Sequence, residues 1–174
     1  NITANINEMY IGTFHALCLR ILKERLEYTR LRRNYRLMDS FDQQYMVFQN
    51  IHRFRCIPEI EIVLPNGGAW KQAETICNFV NNLSEELVSP EELMSDHDPS
   101  IASLGRMLQE YRAILTEENL MDFSSIQIEA YRLLCDHEDI LNELRSAITH
   151  IMVDEYQDTN YIQEQLVFLL AGER

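Results

Sequence analysis

From Phe14 onward, apolar residues return every three or four positions. Phe14, Leu17, Cys18, Ile21, Leu22 and Leu26 fall on one side of a helix, with Arg20, Lys23, Glu24 and Glu27 on the others. Thr13 stands where an N-cap belongs, and the short apolar run Met9-Tyr10-Ile11-Gly12 ahead of it reads as a strand, so the opening is strand, tight turn, helix. Asp39-Ser40 opens a second helix, with Ser40 and Gln43 at capping-box spacing and Phe41, Tyr45 and Phe48 as its expected buried stripe. Pro58, Pro65 and Asn66-Gly67-Gly68 then break regular structure. A third helix runs from about Ala69, with Trp70, Ala73, Ile76, Cys77, Val80 and Leu83 in phase. Ser89-Pro90-Glu91-Glu92 and Asp98-Pro99 each combine a capping side chain with a proline at the first helical position. The second of these opens the longest segment, carrying Ile101, Leu104, Leu108, Tyr111 and Leu115 on one face. Met121-Asp122-Phe123 restarts the chain into a helix with Ile126, Ala130, Leu133 and Leu134, and Ile140, Leu141, Leu144 and Ile148 continue the rhythm. Helical spacing therefore dominates, and no fixed-period repeat suggests a solenoid.

Thr149 to Val153 departs from this spacing. Ile151, Met152 and Val153 are consecutive apolar residues, the pattern of a parallel strand buried on both faces. Ile162, Leu166, Leu169 and Leu170 then form a last helix that stops before Gly172. Asp154, Glu155 and Asp158 would stand at the carboxyl end of that strand, where open α/β sheets bind ligands. A carboxylate fixed there can hold hydrated Mg²⁺, and a second beside it can orient or deprotonate a water. Asp-Glu after a strand is equally the composition of a solvated strand end.

Composition changes this picture in three respects. A chain of 174 residues with 46% hydrophobic content can bury a core without disulfide staples, and Cys18, Cys56, Cys77 and Cys135 lack paired spacing, so free thiols are expected. His15/Cys18 and Cys135/His137 can be drawn as metal pairs, but neither has a partner pair. No run reaches the roughly 20 apolar residues that span a bilayer, and the first residues lack a signal peptide's pattern, so the expectation is a cytoplasmic, nucleoid-associated protein with no membrane partner. The net charge of −13 argues against a general polyanion-binding surface. It is unevenly spread: Arg20 to Arg36 holds seven basic residues against Glu24 and Glu27, an excess of +5, while Glu85 to Arg174 holds 20 acids against five bases. The basic run is either a solvated helix face or a contact for nucleic-acid phosphates.

The longer string "VDEYQDTN" closely resembles motif II, the Walker B element, of the UvrD/PcrA/Rep family of superfamily 1 DNA helicases. "IGTFHALCLRIL" from Ile11 looks like that family's strand-to-helix motif that touches single-stranded DNA. "YRLMDSFDQ" from Tyr35 is similar to the helical stretch that follows it, and "LMDFSSIQIEAYRLL" from Leu120 resembles the L-D-F segment ahead of motif II. The matches occur in family order and span most of the chain.

The resemblance implies a mostly α fold with a small parallel β component: part of a RecA-like α/β domain carrying a helical insertion. Residues 1–30 would be the first strand-helix unit of the motor domain, 31–147 the inserted helical subdomain, and 148–174 the motif II strand and its helix. It implies Asp154 as the Mg²⁺ ligand, Glu155 as the general base, and Gln157 and Asp158 as support for the nucleotide site. Thr13, Phe14 and His15 match the DNA-contacting motif, and the basic residues Arg32 and Arg33 are the candidates for a second DNA contact. For Thr13, Phe14 and His15 a cap, a core aromatic and a polar turn residue explain the same letters; for Asp122 and Phe123, capping and core packing do.

Two departures bear on activity. No glycine is followed by lysine, so the chain carries no G-x-x-x-x-G-K-[ST] loop to cradle a triphosphate, and the family's later motifs and second motor domain are missing. The expectation is an ATP-dependent 3′–5′ DNA helicase or translocase in the parent protein. The parent would use Mg²⁺ and ATP on single-stranded or partly duplex DNA, together with the remaining helicase domains of the same chain, in DNA repair or recombination. The fragment alone would be inactive and bind neither Mg²⁺ nor ATP. Two other readings stay open: a stand-alone acidic helical interaction module, and a nuclease using Asp154, Glu155 and Asp158 as a metal cluster.

Overall fold

A computed structural model describes residues 10–172, and Met9 of the first expected strand lies outside them. Nine α-helices appear among these residues: α1 (Phe14–Glu24), α2 (Ser40–Gln49), α3 (Ile51–Arg55), α4 (Ala69–Glu85), α5 (Pro90–Met94), α6 (Pro99–Glu117), α7 (Phe123–Asp136), α8 (Glu138–Ala147) and α9 (Tyr161–Ala171). The caps behave as side-chain acceptors should. Thr13, Ser89, Asp98 and Asn160 each accept a backbone N–H of the first turn that follows, with prolines at the first position of α5 and α6. At α2 the cap is Asp39 rather than Ser40: the Asp39 carboxylate accepts the Asp42 N–H at 2.8 Å, and Ser40 becomes the first helical residue. Both are good caps, so the pair alone left the boundary one residue uncertain.

The fold class is as expected, a mostly helical chain with a small parallel β component, but the strands lie elsewhere. β1 (Arg36–Leu37) pairs in parallel with β2 (Leu120–Met121), Arg36 opposite Leu120 and Leu37 opposite Met121. Neither Tyr10-Ile11-Gly12 nor 149–153 forms a strand. Ile11 is exposed, and Met152 is 86% exposed, far from buried on both faces. An extended apolar segment becomes a strand only when a neighbour supplies donors and acceptors. Among the described residues the ladder between β1 and β2 is the only one, and it involves neither segment.

That ladder is the seam between two hydrophobic cores. Successive residues of a strand point to opposite sides, so Leu120 enters one core and Met121 the other. The first core is built from α2, α3, α4 and α6 around Met46, Val47, Phe54, Ile76, Val80 and Leu108. The second is built from α1, α7, α8 and α9 around Leu22, Ile126, Leu134, Ile140, Ile162 and Leu166. α5 lies so close on α6 that a Cβ on Gly105 would come within 2.7 Å of the Met94 backbone nitrogen and 2.8 Å of the Pro90 carbonyl oxygen. Arg53 fastens α3 to α6 through Glu110 and, at 2.8 Å, Glu117.

Four aromatic expectations are reversed. Phe41, Tyr45 and Phe48 of α2 and Trp70 of α4 are exposed, at 64%, 45%, 37% and 41%. α2 carries apolar residues on two sides; Met46 and Val47 take the core with Gln43, and the three rings turn outward. The rings cover one another, Phe41 on Tyr45 at 6.3 Å and Trp70 against Phe48 at 5.5 Å. Phe123 is also half-exposed, so it is not the core residue that its motif suggested.

A buried polar cluster crosses the seam. Asp122, 3% exposed, caps α7 by accepting the Ser125 N–H at 2.7 Å, while the Ser125 hydroxyl accepts the Asp122 N–H at 2.8 Å. Its Oδ2 accepts from Tyr111 Oη of α6 and, at 3.1 Å, from Gln43 Nε2 of α2. Gln43 Nε2 also reaches Asn81 Oδ1 of α4 at 2.8 Å. Removing the carboxylate strands donors from both cores: Asp122→Ala is expected to lower stability by about 3 kcal/mol in urea unfolding, more than Asp122→Asn. Gly105→Ala is expected to cost about 2 kcal/mol, because backbone rather than a flexible side chain meets the new methyl.

Candidate nucleotide and nucleic-acid site

The acid-rich string folds as an exposed turn ahead of α9. Asp154 accepts the Glu155 N–H at 3.0 Å, and Gln157 Nε2 donates to the Glu155 carboxylate. Glu155 sits at φ 47°, a left-handed conformation that costs a side-chain-bearing residue energy and here reverses the chain into the short 3₁₀ turn Tyr156–Asp158. Thr159 closes the turn on Tyr156 O at 2.8 Å, and Tyr156 Oη donates to Glu164 of α9 at 2.7 Å. The link to Glu164 raises the Tyr156 pKa above its ordinary value. Asp154, Glu155 and Asp158 are all exposed. Among the described residues no three His, Cys, Asp or Glu side chains gather as a metal site. The donors fit Mg²⁺ in kind: Asp154 offers hard carboxylate oxygens with a single backbone hydrogen bond to them.

The DNA candidates at the start of α1 are placed by its cap. Thr13 Oγ1 accepts the Ala16 N–H at 3.2 Å, and Phe14 and His15 are partly buried. His15 stands edge-on to Phe123, ring centroids 5.6 Å apart, so the structure joins the TFH stretch to the L-D-F segment. Burial lowers the His15 pKa, opposed by Glu85 and by a hydrogen bond to the Phe123 backbone. The thiol of Cys18, on the same helix, is pushed up to about 12 by burial, which makes it a packing residue rather than a nucleophile.

The basic run is partly neutralised. Arg20 pairs with Glu24 at 3.0 Å, Arg25 with Glu143 at 2.7 Å, and Arg30 with Glu129 at 2.7 Å. Arg32 and Arg33 are exposed and make no ion pair among the described residues; the Arg32 backbone N–H donates to Asn119 Oδ1 at 3.0 Å. Arg33 lines an open groove of about 400 Å³ with Lys23, Leu19, Leu26, Tyr35 and Leu37. Tyr35 is thus an addition to the candidate interface that linear reading could not select, and the fold brings Lys23 of the basic run beside Arg33. No hydrogen bond, ion pair or ring contact among the described residues joins the acids at 154–158 to Thr13–His15 or to Arg32 and Arg33.

Comparison with known families matches residues 2–174 to the UvrD/REP helicase N-terminal domain, and the chain belongs to that family. It is 32% identical over 184 residues to the ATP-dependent DNA helicase SRS2 of Saccharomyces cerevisiae, covering 96% of this chain and 15% of that protein. DNA helicase II of Escherichia coli is 28% identical over 95% of this chain and 22% of its own length. The ATP-dependent DNA helicase UvrD1 of Mycobacterium tuberculosis is 29% identical over 94% and 21% respectively. The chain therefore spans less than a quarter of each of these relatives. No helix of the described residues is long and apolar enough to cross a membrane.

An imidazole held below its ordinary value of 6.5 stays neutral in the fold and takes a proton more readily once unfolded. Its contribution is full above that value and fades as pH falls through it toward the lower folded value. Urea unfolding of wild type and His15→Gln is expected to show the wild-type advantage shrinking from about pH 7.5 to about pH 5.5.

Proposed function

We propose that this chain is the motif II segment and helical insertion of an ATP-dependent DNA helicase or translocase that moves 3′ to 5′ on single-stranded DNA. The observation that carries the reading is the string "VDEYQDTN" at the exposed turn before α9, in a chain matched over residues 2–174 to the helicase family. Residues 1–30 and 148–174 belong to the motor domain, and 31–147 form the insertion. The protein works in the cytoplasm at the nucleoid, on single-stranded or partly duplex DNA, with the remaining helicase domains.

In the assembled nucleotide cleft Asp154 would hold Mg²⁺ with the triphosphate, and Glu155 would accept a proton from the water that attacks the γ-phosphate. When bound there, Mg²⁺ would supply positive charge that offsets the phosphates. Gln157 holds the Glu155 carboxylate, and Asp158 lies in the same turn to link it to neighbouring motifs. Thr13, Phe14 and His15 guide the strand. Arg32 and Arg33 add phosphate contacts, with Arg33 doing so from the groove it shares with Lys23.

Because this chain carries no triphosphate-cradling loop, it is expected to show no DNA-stimulated ATP turnover by itself. In a longer protein that carries the loop, Asp154→Ala and Glu155→Gln are expected to lower kcat by about a hundredfold or more. ATP turnover by this chain, or wild-type turnover in both variants, would overturn the assignment. Reversing Arg32 and Arg33 to Glu is expected to weaken DNA affinity and flatten its dependence on salt, read from binding isotherms at several salt concentrations. Unchanged affinity would return the basic run to a solvated face.

A further inference from the structure

α6 and α7 enclose a cavity of about 70 Å³ whose walls include Arg30, Arg112, Arg132, Glu129 and Asp122. The space exceeds what one or two waters need and admits the five heavy atoms of a tetrahedral oxyanion. Its walls carry three guanidinium groups and two carboxylates, and Glu91 of α5 acts on Arg112 and Arg132 from outside the lining. Glu129 is shared, its Oε1 lying 2.7 Å from Arg30 Nε and 4.0 Å from Arg132 Nη1. Asp122 has both oxygens engaged, by the Ser125 N–H on one side and by Gln43 and Tyr111 on the other.

Arg112 is left over. Its one hydrogen bond is a long one, 3.4 Å from Nη2 to Val88 O, and no carboxylate among the described residues lies within ion-pair distance. Burial, with repulsion from Arg132 behind it, pulls its pKa down to about 10, so the side chain still carries its charge at neutral pH. Glu91 and Glu129 act on it only from beyond ion-pair distance, so its guanidinium fork, which matches the paired oxygens of a phosphate, has no carboxylate in direct contact.

We propose that this cavity binds one phosphate group, gripped by Arg112 and Arg132, with the Arg30–Glu129 pair fixing the wall behind them. The phosphate is either free or part of a nucleic-acid backbone. The site shares no lining residue with the Lys23–Arg33 groove and none with the motif II turn. It therefore stands or falls apart from the nucleotide-cleft reading.

The test titrates the chain with inorganic phosphate at constant ionic strength, using chloride as the balancing salt, and follows the unfolding temperature and the binding heat. A saturable rise with phosphate is expected, weakened about tenfold or more in Arg112→Gln and Arg132→Gln. Arg112→Lys keeps the charge but loses the fork, so it is expected to fold and bind weakly even if Arg112→Gln does not fold. A single-stranded oligonucleotide that displaces phosphate, or that binds in an Arg112-dependent way without a free-phosphate effect, assigns the group to a nucleic-acid backbone. Phosphate binding that the oligonucleotide leaves untouched assigns it to the free ion. No phosphate response beyond chloride, with oligonucleotide binding unchanged by Arg112→Gln and Arg112→Lys, would overturn the proposal.

Discussion

The Asp122 carboxylate is the point on which the two halves of this fold agree. It follows directly on β2, caps α7 and accepts from α2 and α6, so one buried charge orients elements that belong to different hydrophobic cores. Hydrophobic burial could hold each core together by itself, but it is non-directional and would leave their mutual angle loose. A carboxylate whose partners come from three helices fixes direction, because any rotation about the seam breaks a hydrogen bond in a poorly solvated place. The four-residue ladder beside it is too short to do this unaided.

This arrangement explains how so acidic a chain can present basic chemistry. Glu24, Glu129 and Glu143 each hold one arginine of the basic run, which removes much of its apparent excess. Among the described residues, the cations without a carboxylate in direct contact include Arg32 and Arg33 on the surface, Lys23 in the groove, and Arg112 in the α6–α7 cavity. Net charge describes the long-range field, whereas binding of a phosphate depends on which cations lack carboxylate partners.

The helices were legible because their signals are local. Thr13, Ser89-Pro90, Asp98-Pro99 and Asp122 act within one turn, and the structure uses each as a cap. Sidedness was less legible. In α2 the spacing of Phe41, Tyr45 and Phe48 marks a face, but Met46 and Val47 mark another, and periodicity does not say which of two apolar faces meets the core. The strands were misplaced for a related reason: Ile151-Met152-Val153 has strand composition, yet pairing depends on a neighbour that the segment itself does not encode. Two-residue strands such as Arg36–Leu37 leave almost no pattern to find. For the candidate site, the string 154–158 could be read directly, whereas the meeting of His15 with Phe123, or of Arg112 with Arg132 and Glu129, joins positions without any common linear motif.

Trp70 is the only tryptophan in the chain, and it sits half-exposed among Phe41 and Phe48 on the outside of the first core. Intrinsic fluorescence excited at the indole therefore reports on that corner of the molecule and is nearly blind to α1, α7, α8 and α9. If the two cores loosen at different denaturant concentrations, emission and far-ultraviolet dichroism will trace separate curves, and their disagreement becomes a direct optical measure of how tightly the seam couples them.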